Sequence, residues 1–65
     1  MTEIFSDFIA ATVKVYLTDG LVLKGKLISL DGYLNCSLID VITSFDEKYE
    51  SLCVKGSNVE TISYA

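Results

Sequence analysis

A chain of 65 residues with nine acids, five basic residues and no histidine carries a formal net charge of −4, which excludes a protein that coats nucleic acid through a broad basic face and leaves only a few local cations. Hydrophobic residues make up 51% of the chain with no low-complexity tract, which excludes disorder. A core this small supplies roughly 3–5 kcal/mol without disulfides, metal or oligomerisation, so the apolar surplus points to burial against other subunits.

In chain order, T-E-I-F-S-D-F-I-A-A places Ile4 and Phe8, and Phe5 and Ile9, four apart, predicting a short helix over about residues 2–10 that Thr2 caps. The N-terminus has neither a basic leader nor a long apolar run, so no signal peptide or membrane span is expected and the chain reads as soluble and intracellular. From Thr12 to Asp19, Val13, Val15 and Leu17 alternate with Lys14, Tyr16 and Thr18, and Asp19-Gly20 marks a hairpin. Leu21 to Asp31 keeps Leu23 and Leu27 in phase around Gly25 and changes phase at Ile28 and Leu30, the pattern of a strand that bends at a residue without a side chain. After Asp31-Gly32, a third strand runs to about Phe45, with Leu34, Cys36 and Leu38 opposite in phase to Tyr33, Asn35 and Ser37. Asp46-Glu47-Lys48 interrupts, Tyr49 to Lys55 resumes with Leu52 and Val54 opposite Ser51 and Cys53, Lys55 to Asn58 turns, and Val59 to Tyr64 is a last short strand. A helix followed by five short, strongly bent antiparallel strands reads as one mainly β domain, a small closed or nearly closed barrel whose open edges invite pairing with another chain.

Cys36 and Cys53 fall short of a four-ligand zinc site and match no redox spacing. Lying in apolar runs, they are expected as small apolar fillers, reduced rather than bridged. Nor is there a catalytic constellation: histidine is absent and no Ser or Cys has a visible base partner.

Asp31-Gly32-Tyr33 is by itself a turn, of type I′ or similar, with Gly32 at positive φ and Asp31 accepting backbone hydrogen bonds. Tyr33 and Asn35 share the phase opposite to Leu34, so an aromatic face and an amide project together beyond the turn, the pair that stacks on and hydrogen-bonds an unpaired base. Lys55, beside the other tight turn, supplies a cation.

Leu23-x-Gly25-x-Leu27-x-x-x-Asp31-Gly32-Tyr33-Leu34-Asn35-x-x-Leu38 resembles the first Sm motif, and Val54-Lys55-Gly56-Ser57-Asn58-Val59-x-x-Ile62 resembles the second. Together, in this order, they are similar to the Sm and Sm-like family. That resemblance implies a helix on a five-stranded, strongly bent barrel spanning residues 1–65, with the first motif at about 12–45 and the second at about 49–64. It implies six- or seven-membered rings closed by strand four of one subunit against strand five of the next, and uridine-rich single-stranded RNA in the central pore. Residue by residue, it gives Tyr33 the stacking role, Asn35 the hydrogen bond to the base, Lys55 the cation closing the pocket, Asp31 the orientation of loop and amide, and Gly56 the small residue of the second loop. No catalytic residue, metal or cofactor is implied. Among the family's branches the D-G-Y-apolar-Asn pattern is similar to the sixth Sm-like branch and next to the F-type Sm branch, and Lys55-Gly56 leans to the former, which implies binding of U-six small nuclear RNA for pre-mRNA splicing, or messenger decay, in nucleus and cytoplasm. An architectural ring subunit with little RNA contact of its own is the other reading. Lys55 stands where the family most often has Arg, the segment Ser44 to Glu50 is short, and Glu60 and Thr61 replace residues that are often apolar.

Overall fold

The computed structural model describes residues 9–65. The helix expected over about residues 2–10 lies outside them but for Ile9 and Ala10, which form a turn. Five strands follow: β1 Thr12–Leu17, β2 Val22–Leu30, β3 Cys36–Thr43, β4 Lys48–Val54 and β5 Val59–Tyr64, with a 3-10 turn at Gly56–Asn58 between the last two. All pairings are antiparallel and the sheet order is β4-β3-β2-β1-β5. Among the described residues β4 and β5 do not pair with each other, so the barrel is open along that seam.

The alternation of β1 and β2 drives the core. Val13, Val15, Leu23 and Leu27 are buried with Cys36, Leu38, Val41, Val54 and Val59, while their in-between neighbours face outward. The bend expected around Gly25 is present. The β2–β3 register shifts between Lys24 and Lys26 and again between Leu27 and Ser29, and a Cβ on Gly25 would sit 3.0 Å from the Ile39 carbonyl oxygen and 3.1 Å from Val41 Cγ2. The extra residue of the first shift is Asp40, at φ 53°, which lets Leu38 and Val41 both turn inward three positions apart. Strict alternation to Phe45 does not allow for that bulge.

Three hairpin loops repeat one design. Leu17 donates to the Leu21 carbonyl while Gly20 donates back to Leu17; Asp31 and Asn35, with Leu34 donating back, do the same, as do Thr43 and Glu47 with Asp46. Each is a three-residue loop whose last residue is left-handed: Gly20 at φ 93°, Leu34 at 66° and Asp46 at 65°. The type I′ turn with Gly32 at positive φ is thereby corrected. Among the described glycines only Gly20 has positive φ, and at the second hairpin Leu34 takes that position because three loop residues, not two, connect the strands. The third hairpin also ends β3 at Thr43 rather than Phe45: the buried Thr43 Oγ1 accepts the Phe45 and Glu47 N–H groups, each at 3.2 Å, closing the loop locally.

Candidate RNA-binding site

The site grows from the second hairpin. Asp31 Oδ1 accepts the N–H of Tyr33 at 2.8 Å and of Asn35 at 3.0 Å, and Oδ2 accepts the Asn35 side-chain amide at 3.0 Å. The Asn35 side-chain bond above all, opposed by desolvation and helped by the two backbone bonds, holds the Asp31 carboxyl below its ordinary value of 3.8. The carboxylate is the form that locks this loop.

The other end of the Asn35 amide reaches the second loop. Its Oδ1 accepts the Gly56 N–H at 2.6 Å. A carboxylate on one side and an N–H on the other leave the amide a single orientation, nitrogen to Asp31 and oxygen to Gly56. One Nδ2 hydrogen stays available. Gly56 packs so closely that a Cβ there would overlap the Tyr33 carbonyl oxygen and lie 2.9 Å from the Leu34 carbonyl carbon. A residue without a side chain at position 56 is thus what lets the second loop lie against the backbone of the first.

Lys55 precedes the 3-10 turn in extended conformation, its carbonyl accepts the Asn58 N–H at 2.9 Å, and its side chain is exposed. Asp31, Asn35, Ser37, Cys53 and Lys55 line an open cleft of about 360 Å³ between the two loops. Tyr33 is 83% exposed and is not among the residues lining the cleft. The structure therefore brings Asp31, Asn35, Lys55 and Gly56 together and leaves the ring of Tyr33 outside the cleft.

The cysteine expectation needs one correction. Both thiols are free and Cys36 is buried, but Cys53 is exposed, its Sγ 3.6 Å from Ser37 Oγ. Cys53 shares with Ser51 the outward phase of β4, opposite the buried Val54, so its side chain stands on the outer face of the sheet. Burial raises the Cys36 thiol above its ordinary value, with smaller contributions from the charges of Asp31 and Cys53. Sequence reading also missed the Asn35–Gly56 bond, for which no local signal exists across 21 residues.

The LSM domain model matches residues 3–64 of the chain. The chain is 46% identical over 50 residues to LSM complex subunit LSM6 of Saccharomyces cerevisiae, covering 77% of this chain and 54% of that protein, so it spans about half the length of the yeast relatives it matches. A U6 snRNA-associated Sm-like protein LSm6 of Ajellomyces capsulatus is 40% identical over 62 residues, covering 89% of this chain and 78% of that one. These relatives agree with the leaning to the sixth Sm-like branch. Among solved structures, the Sm protein of Pyrococcus abyssii in complex with a uridine heptamer superposes with TM-score 0.88 at 27% identity, covering 97% of this chain and 94% of the other. The five bent antiparallel strands expected from the sequence are thus an Sm fold. With the domain model covering both motif loops and the clamp between them, the chain belongs to the LSM domain family of Sm-like proteins.

Proposed function

We propose that this chain is an RNA-binding subunit of a six- or seven-membered Sm-like ring, holding uridine-rich single-stranded RNA at the loops that meet at Asn35 and Gly56. The observation that carries the reading is the fixed amide. Asn35 is clamped between Asp31 and Gly56 with one donor left, beside Lys55 and one residue beyond the turn that exposes Tyr33. A donor held in one direction suits a base that offers a carbonyl oxygen, as uracil does, and a free aromatic ring stacks on an unpaired base whatever its edge. Lys55 adds charge toward phosphate, without the flat stacking plane a guanidinium would give. The role includes no catalysis, metal or cofactor. Its partners are other Sm-like subunits along β4 and β5, in nucleus and cytoplasm; U6 small nuclear RNA is the RNA that the name of the Ajellomyces capsulatus relative carries, and the resemblance to the sixth Sm-like branch adds splicing and messenger decay as the settings, with an F-type Sm core subunit as the neighbouring alternative.

A second reading, an architectural subunit with little RNA contact of its own, draws on the position of Tyr33 outside the cleft and on the Asn35 oxygen already engaged by Gly56. Tyr33→Ala separates the two. Oligouridine affinity of the assembled ring, measured by fluorescence anisotropy, drops by about 1–3 kcal/mol if Tyr33 stacks on a base and stays unchanged if the subunit is architectural.

A further inference from the structure

Outside the site, the lysines are not scattered. Lys14 on β1 lies directly opposite Lys24 on β2, and Lys26 follows two positions along β2, paired with Thr12. Directly paired residues of antiparallel strands share a side of the sheet, and this side is the outer one, since Val13, Leu23, Gly25 and Leu27 between them are buried. The rows extend through uncharged neighbours: Lys14 pairs with Ser63 on β5, Lys24 with Ile42 and Lys26 with Ile39 on β3. Three of the five lysines of an acidic chain therefore share one outward patch with no acid in register. Asp40, on the bulge opposite Gly25, borders the patch, and among the described residues the side chains of Asp40 and of the three lysines make no hydrogen bond or ion pair.

Like charges placed directly opposite on a sheet destabilise it, so the fold gains nothing from a Lys14–Lys24 pair. An anion laid across the patch reverses that sign. Residues along a strand recur on one face at about 7 Å, close to the phosphate spacing of an extended single strand, so Lys24 and Lys26 match successive phosphates while Lys14 broadens the track. We propose that the outer face of β1 and β2 is a second, sequence-independent contact for the RNA, holding the phosphate backbone of a strand that continues beyond the base site. This rests on the RNA-binding reading above, and it places the charge of an acidic chain where a polyanion can use it.

The test compares the parent chain with the triple variant Lys14→Gln/Lys24→Gln/Lys26→Gln, assembled in the same way, on a uridine heptamer and on a long uridine-rich strand. For the variant, heptamer affinity is unchanged, affinity for the long strand falls about tenfold at physiological salt, and the slope of log affinity against log salt loses about two. Removing the like-charge pair leaves the Tm at low salt equal or higher. An unchanged slope and affinity for the long strand overturn the proposal, as does an equal loss on the heptamer. A slope change obtained with a polyglutamate chain but not with RNA also overturns it, in favour of an acidic protein. The two sites fail separately: Tyr33→Ala weakens heptamer binding while keeping the long-strand slope, whereas a parent ring that ignores the heptamer yet shows the lysine-dependent slope removes the base site and leaves the patch.

Discussion

Gly56 tolerates no side chain, because a Cβ would meet backbone atoms of Tyr33 and Leu34 that cannot swing aside. Gly56→Ala therefore forces the two loops apart and breaks the Gly56–Asn35 bond. A loss of about 1–3 kcal/mol is expected in urea denaturation, with weaker oligouridine binding; a variant as stable as the parent would show that the loops separate freely. The Asp31 clamp sets a pH limit on the same site. Its folded value lies below the ordinary 3.8, so its bonds contribute fully above 3.8 and are lost as pH falls through the lower folded value. The side-chain amide signals of Asn35 and the Gly56 N–H should hold their NMR shifts from neutral pH down to 3.8 and move only below it. A midpoint above that value would mean that Asp31 is not held as the carboxylate.

At the scale of elements, the three-residue loops make graded demands. Gly20→Ala puts a side chain at φ 93° and is expected to cost about 1–2 kcal/mol, whereas Asp46→Gly at φ 65° removes strain and changes stability by less than about 1 kcal/mol. Thermal melts of the two variants check the contrast. In β2, Gly25→Ala meets Ile39 and Val41 across the bulge and is expected to lower the Tm by several degrees, as overpacking by about 1 kcal/mol does in a domain this size. Asp19-Gly20 and the alternation of β1 were legible in the sequence because both are local. The Asp40 bulge left only a faint trace, the apolar spacing of three between Leu38 and Val41, which a reading by strict alternation passes over.

For the whole molecule, two edges unpaired among the described residues, and a core of nine small or medium apolar side chains among them, leave a monomer with little to spare. If β4 and β5 pair between copies or paralogues, assembly is linked to folding, and the Tm of the purified chain rises with its concentration. A Tm constant over a hundredfold dilution series, with a monomer mass by native mass spectrometry, would contradict assembly through these edges. The open cleft beside Lys55 adjoins β4, where Cys53 and Val54 line it, so pairing at that edge and occupancy of the cleft are neighbouring events.

By itself the sequence determined the strand count, the turns at Asp19-Gly20 and after Asp31, the limits of β5 and the inward set of Val13, Val15, Leu23, Leu27 and Leu38, because period-two alternation and turn chemistry act between near neighbours. It also marked Asp31, Asn35, Lys55 and Gly56 through their motifs. Tertiary structure alone decided that Asn35 spends its oxygen on Gly56, that Tyr33 stands outside the cleft, that Cys53 is exposed, and that Lys14 faces Lys24. Each depends on register and strand order, which bring together residues far apart in the chain, and a local pattern carries no record of which distant backbone it will meet.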